Sequence, residues 1–163
     1  RATKVLKCHI DACTSLELII RGGSGTDNID ILEAENRNIS IKTCIGKNAI
    51  AVAEHFFALL LNIDRNLFSA INSTKEGVWK KIEFSKGKGI YGSTLGLLGY
   101  GFIGKEIAKR AKAFGMNVLV TRRKQEIEEG LELVQNYEEL FHRSDFIGIC
   151  LDANESTIGM INI

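Results

Sequence analysis

The sequence has no proline in 163 residues, where average usage of about 5% would supply about eight. No turn in the chain can therefore draw stiffness from a pyrrolidine ring. The chain also starts at Arg1 without a methionine, and together these features suggest a piece of a longer protein. An excess of charge of one sign is missing as well. Twenty-one Lys and Arg stand against 20 Asp and Glu, a formal net charge of +1, and no like-charge block is long enough to act as a tail. Nucleic acid and anionic membranes are thereby disfavoured as partners, and a small molecule is expected. The longest apolar run, "FFALLL" (Phe56 to Leu61), falls far short of the roughly 20 residues that span a bilayer. No secretory signal pattern opens the chain, so the expected location is the cytoplasm. The four cysteines (Cys8, Cys13, Cys44, Cys150) form no CxxC pair and are expected to be free, buried thiols in a reducing compartment. No metal site is expected, and there is no internal repeat or low-complexity segment.

What remains is a soluble composition, 45% hydrophobic and 25% charged, with an alternating pattern. From Cys8 to Thr43 the chain reads as helix, the strand "LELIIR", a glycine-rich turn "GGSGTDNID", a polar helix and the strand "ISIKTC". Asn48 stands as an N-cap before a long apolar-periodic helix expected to run to Asn72. Its apolar residues (Val52, Phe56, Phe57, Leu59, Leu60, Leu61, Ile63) cover more than one face, which points to burial between two bodies and to a subunit interface, here a homodimer. A Lys- and Gly-rich connector around Trp79 comes next. From Ser93 strand and helix alternate strictly: "TLGLLG", a helix from Phe102 to Phe114 closed by Gly115, "NVLVT", "LELV", a short helix from Tyr137, and "FIGICL". The first of these helices is expected to turn Ile103, Ile107, Ala111 and Phe114 inward. This order implies parallel strands joined by right-handed crossovers.

Between the first of these strands and its helix lies "GYGFIG", Gly99 to Gly104. Glycines at positions 99, 101 and 104 allow a tight turn, close approach of a pyrophosphate and close packing of helix on strand, while the helix N-terminus offers free N–H groups and a positive dipole end. The alternative is an ordinary turn between packed elements. After the second strand, where a carboxylate usually meets the ribose of NAD, the chain reads "TRRK" (Thr121 to Lys124). Arg122 there would repel no 2′-phosphate and could bind one with two charge-assisted hydrogen bonds, with Arg123 as backup. NADP(H) is thus favoured over NAD(H). Arg122, Arg123 and Lys124 as a merely solvated turn is the competing reading.

"IIRGGSGTDNID", "NAIAVAEHFFALLL", "IYGSTLGLLGYGFIGKEIAKRAKAFGM" and "DFIGICLDANESTIGMIN" together, in this order, resemble the D-isomer-specific 2-hydroxyacid dehydrogenase family over nearly the whole chain. The resemblance implies an α/β fold: a partial Rossmann-type parallel sheet at 47–163, incomplete at its C-terminus and binding NAD(P), and part of a flavodoxin-like substrate domain at 1–46. It implies hydride transfer between NAD(P) and a D-2-hydroxyacid such as 3-phosphoglycerate, in serine biosynthesis. Backbone N–H groups of Ser24 and Gly25 would hold the substrate carboxylate, and Ser24 would also lie beside the nicotinamide. Phe102 and Ile103 would give backbone contacts to the pyrophosphate; Arg122 would face the adenosine ribose, with Thr121 and Arg123 also counted as cofactor-binding; Cys150, Leu151 and Asp152 would line the adenine side. Arg1 falls near a family arginine that contacts an anionic substrate.

Departures from the family pattern matter too. Ile45, Asp152 and Glu155 stand where the family has proline, which places the shape of those loops in question. The family's catalytic arginine, acid and histidine fall beyond Asn162, so no catalytic residue is expected within this chain. His9 and His142 read as surface or boundary residues and His55 as part of the packed helix; none reads as a general base. A dinucleotide-sensing binding protein, corepressor-like and on the same fold, is the alternative to an enzyme.

Overall fold

The computed structural model describes residues 3–121, 128–154 and 156–161. Its two most apolar strands form the centre of a parallel sheet. β3 (Thr94–Leu98) and β4 (Asn117–Thr121) pair in parallel from Thr94↔Asn117 to Leu98↔Thr121, and four of the five residues in each are buried. Continuous apolar strands of this kind need cover on both faces, because a one-sided sheet would leave every second side chain in water. β6 (Phe146–Ile149) pairs with the free edge of β3, and the two-residue β5 (Glu132–Leu133) with that of β4, giving the order β5-β4-β3-β6 with every pair parallel.

α6 (Phe102–Ala113) crosses from β3 to β4. It buries Gly104, Ile107, Ala108 and Ala111, whereas Phe114, expected inward, is 41% exposed and stacks on Phe57 at 5.1 Å between centroids. Gly115 ends the helix with φ +73°: its N–H donates to Lys112 C=O at 2.9 Å, and the Met116 N–H donates to Ala111 C=O at 3.0 Å. Both bonds satisfy carbonyls that the helical ladder leaves over. α7 (Tyr137–Arg143) starts at Asn136, whose side chain accepts the Glu139 N–H at 2.8 Å. It packs on β3 where Gly96 leaves room for Leu140 and Ser144.

The long helix expected from Asn48 to Asn72 is two helices, α3 (Ala49–Arg65) and α4 (Leu67–Lys75). Asn66 breaks it in the left-handed region, φ 48°, and the Asn62 carboxamide oxygen accepts the Phe68 N–H at 2.9 Å, supplying the bond that the broken ladder lost. Asparagine tolerates this conformation better than most residues, and apolar periodicity alone does not register the break. α3 packs on α6 through Ala53, Phe57 and Leu60, all in the main core with Leu95, Leu97 and Ile107. His55 faces solvent instead of lying in packing. Beyond α4, the connector contains the one-turn α5 (Lys81–Phe84) and is pinned where the nearly buried Asp64 carboxylate accepts the Gly89 N–H at 3.1 and 3.2 Å.

These elements belong to a unit of residues 49–163; residues 1–48 form a second compact unit. In the latter, β1 (Leu18–Arg21) and β2 (Ser40–Thr43) pair in parallel, with Leu18 opposite Ser40. α1 (Lys7–Asp11) and α2 (Ile31–Asn36) contribute Ile10 and Ala34 to a small core with Ile39. Asp30 caps α2 by accepting the Glu33 N–H. The expectation of buried thiols fails for three of the four cysteines. Cys8, Cys13 and Cys44 are free and exposed, because the short elements around them bury few residues; only Cys150 is partly buried. Among the described residues no helix is long and apolar enough to cross a membrane.

Candidate functional site

At the C-terminal end of β3 the three glycines take different tasks. Gly99 sits at φ +94°, and a side chain there would lie 2.9 Å from the Cys150 carbonyl. Gly104 rests against the Gly99 carbonyl, where a Cβ would collide. Gly101, by contrast, has an ordinary φ of −90° and open space where a side chain would project. It precedes α6 with no side-chain cap, and the first helical bond runs from Lys105 N–H to Gly101 C=O. The N–H groups of Phe102, Ile103 and Gly104 therefore lie ahead of the ladder, at the positive end of the helix. The Phe102 side chain is exposed and that of Ile103 packs on the core, so the offer both make at this turn is backbone.

Beside this turn lies a cavity of about 560 Å³, whose wall includes Gly99, Thr121, Gln135, Tyr137, Leu151 and Met160. Gly99, Thr121 and Leu151 were expected here. Asp152 instead lines the neighbouring groove with Ile149 and Ile158. Cys150 turns its thiol toward the core, where burial pushes it up to about 11 and keeps it protonated at neutral pH. Arg122, Arg123 and Lys124 come directly after Thr121 but lie outside the described residues. Sequence reasoning missed the far wall, Val134 to Tyr137; the Asn136 cap was the available signal, since a capped helix after a strand in this order marks a turn at the same sheet end.

Around Asp152, one of the positions where the family has proline, the described residues of the loop are held by side chains. Asn154 N–H donates to Thr157 Oγ1 at 2.9 Å, the Thr157 hydroxyl donates to Asp152 C=O, and Asn154 Oδ1 accepts the Ser156 N–H at 3.0 Å. Hydrogen bonds thus supply constraints that proline would have supplied covalently. Glu155 lies outside the described residues.

In the unit of residues 1–48, Ser24 and Gly25 line a separate cavity of about 540 Å³ together with Arg21, Gly23, Asn28 and Asn48. Arg21, part of the "IIRGGSGTDNID" stretch but given no role from the sequence, is mostly buried. Its guanidinium fills the space beside Gly23 and reaches its carboxylate neighbour, Asp27, only at 4.0 Å. Asn28 Oδ1 is buried with no hydrogen-bond partner among the described residues. Arg1 lies outside the described residues. His9, His55 and His142 are exposed and line neither cavity; His9 Nδ1 accepts the Leu6 N–H at the start of α1. Among the described residues no cluster of His, Cys, Asp or Glu could hold a metal.

Residues 57–163 match the family described as D-isomer specific 2-hydroxyacid dehydrogenase, NAD binding domain. The chain belongs to this family. It is 42% identical to a hydroxypyruvate reductase of Thermotoga maritima over 162 residues, covering 99% of this chain and 52% of that protein. It is 41% identical to a D-3-phosphoglycerate dehydrogenase of Methanocaldococcus jannaschii over 149 residues, covering 89% of this chain and 28% of that protein. An acyclic imino acid reductase solved in complex with NADPH and D-Arg superposes with a TM-score of 0.82 at 29% identity, covering 95% of this chain and 50% of that one. The chain thus spans about half the length of the hydroxypyruvate reductase, and less of the phosphoglycerate dehydrogenase. As a 2-hydroxyacid dehydrogenase domain, the fold accounts for the glycine turn: the family's NAD-binding region coincides with the sheet that carries Gly99 to Gly104.

Proposed function

We propose that this chain supplies the dinucleotide site, and part of the substrate site, of an NAD(P)-dependent D-2-hydroxyacid dehydrogenase. The observation that carries the reading is the uncapped N-terminus of α6 behind a glycine with room beside it, opening next to a cavity at the C-terminal end of the sheet. A nicotinamide dinucleotide fits this cradle. Backbone N–H groups of Phe102 and Ile103 would hold its pyrophosphate, and the wall of Thr121, Leu151 and Tyr137 would enclose the adenosine. The bound dinucleotide would supply the hydride acceptor or donor for a substrate C2 centre. This chain's own residues would bind and orient.

The substrate side is the glycine loop at Ser24 and Gly25, whose backbone N–H groups would hold a carboxylate. The Arg21 guanidinium, whose carboxylate neighbour among the described residues is 4.0 Å away, favours a substrate that is itself anionic, such as 3-phosphoglycerate or a small 2-oxo acid. Four free cysteines, three of them exposed, suit a reducing cytoplasm. A near-neutral chain gives nucleic acid and membranes little to hold. A homodimer would cover the exposed apolar side chains between Leu59 and Ile82.

NADP(H) is the preferred cofactor in this reading, because Arg122 follows Thr121, a residue of the cavity wall, and stands at the sequence position from which a carboxylate would select the ribose 2′-hydroxyl. A charge-assisted hydrogen bond is worth about 1.5–3 kcal/mol, so losing the Arg122 side chain in the full-length protein should weaken NADP(H) roughly tenfold to a hundredfold and cost NAD(H) little, while Arg122→Asp should add repulsion of the 2′-phosphate. Titration calorimetry of both cofactors on wild type, Arg122→Asp and the Arg122→Ala/Arg123→Ala double variant, at one salt concentration, is the test. A wild-type preference for NAD(H) that survives both variants would show "TRRK" to be a solvated turn.

A further inference from the structure

Ser24 carries two sets of hydrogen-bonding groups with different uses. Its backbone N–H belongs to the glycine loop proposed to hold a carboxylate, and any coupling between that carboxylate and the Ser24 side chain rests on that reading. Its hydroxyl is occupied elsewhere: it donates to Asn48 Oδ1 at 3.3 Å and accepts the Gly46 N–H at 3.3 Å. Next to it, Cys44 N–H donates to the Gly23 carbonyl at 3.1 Å. Three bonds therefore join Gly23 and Ser24 to alternate residues of the segment Cys44 to Asn48.

That segment is a turn. Lys47 N–H donates to Cys44 C=O at 3.4 Å, and Gly46 holds φ +74°, the positive value that the third residue of a type II turn requires. Proline suits the second position of such a turn because it fixes φ in advance; here Ile45 stands there, exposed. Without that covalent restriction the turn samples more conformations when unconstrained, so its geometry rests on the bonds it makes. Two of those bonds end on one hydroxyl. A carboxylate held by the backbone N–H groups of Ser24 and Gly25 would fix the Ser24 backbone and, through it, the position of that hydroxyl.

We propose that the Ser24 hydroxyl is a positioning group that clasps the Cys44–Asn48 turn to the glycine loop, so that a carboxylate bound by the loop also orders the turn.

The test is residue-resolved amide hydrogen exchange at Gly46 in the full-length protein, with oxalate as the carboxylate probe. Ser24→Ala removes the acceptor and should speed Gly46 exchange about two- to tenfold, the range one net hydrogen bond supports. Ser24→Thr keeps a hydroxyl and should restore slow exchange. Oxalate should slow Gly46 exchange further in wild type and leave it unchanged in Ser24→Ala. Equal Gly46 exchange in wild type and Ser24→Ala would overturn the clasp. Oxalate that binds wild type by calorimetry without changing Gly46 exchange would overturn the coupling while leaving the carboxylate site standing. Failure of oxalate to bind wild type would overturn the carboxylate site, and the comparison without oxalate would still decide the clasp.

Discussion

Single residues of the glycine turn differ in what they can bear. Gly101 has a backbone any residue adopts and nothing within 4 Å of the position of a Cβ, whereas Gly99 combines φ +94° with a carbonyl 2.9 Å from that position. Gly101→Val should therefore fold normally and lose dinucleotide affinity, because its side chain enters space the pyrophosphate needs. Gly99→Ala should lose about 1–3 kcal/mol of stability from left-handed strain and crowding before binding is considered. Urea unfolding and cofactor titration on both variants separate the effects; a Gly101→Val protein that binds as tightly as wild type would contradict the cradle. The same three-glycine spacing thus holds a residue fixed by its backbone and neighbours beside one with open space, a distinction visible only once φ and neighbours are known.

At the scale of elements, the end of α3 is held by a polar anchor. The Asp64 carboxylate is nearly buried, accepts the Gly89 N–H with both oxygens and lies 3.0 Å from Arg65 Nε, while the Asp64 carbonyl occupies the space beside Gly87. This ties the connector, which has few apolar contacts of its own, to the helix just before the break at Asn66. Asp64→Ala leaves a donor unsatisfied and should cost about 1.5–3 kcal/mol in urea unfolding, with faster amide exchange at Gly89. A loss below about 0.5 kcal/mol would mean that Ile90, buried in the main core, holds the connector by itself. The break also redistributes the apolar surface: Leu60 faces the core, while Ile63, Phe68 and Ile71 are exposed on the two helices.

For the molecule as a whole, those exposed side chains continue into Trp79, 79% exposed, and Ile82, 81% exposed, forming a run of large apolar groups left uncovered by the described residues. Burying them against a second copy is the basis of the homodimer reading. Leu60 cannot probe it, being 6% exposed in the core, but Ile63→Asp can, at 72% exposure. Ile63→Asp should shift sedimentation of the full-length protein from dimer to monomer with its far-UV circular dichroism unchanged, since the side chain lies outside the core of the single chain. An unchanged sedimentation coefficient would remove this face from the interface. The alternating order of strands and helices, the parallel sheet and the glycine turn between β3 and α6 were legible from residues alone, because apolar periodicity and glycine spacing are local properties of the chain. Helix continuity at Asn66, the exposure of Cys8, Cys13, Cys44 and His55, and the roles of Arg21 and Asp64 were not. Each depends on which distant segment supplies a hydrogen bond or covers a face, and no local pattern encodes that. The glycine spacing determined where a tight turn falls between β3 and α6; only the packing of β3, α6 and Cys150 decided which of its glycines has open space beside it, because a clash depends on segments distant in sequence.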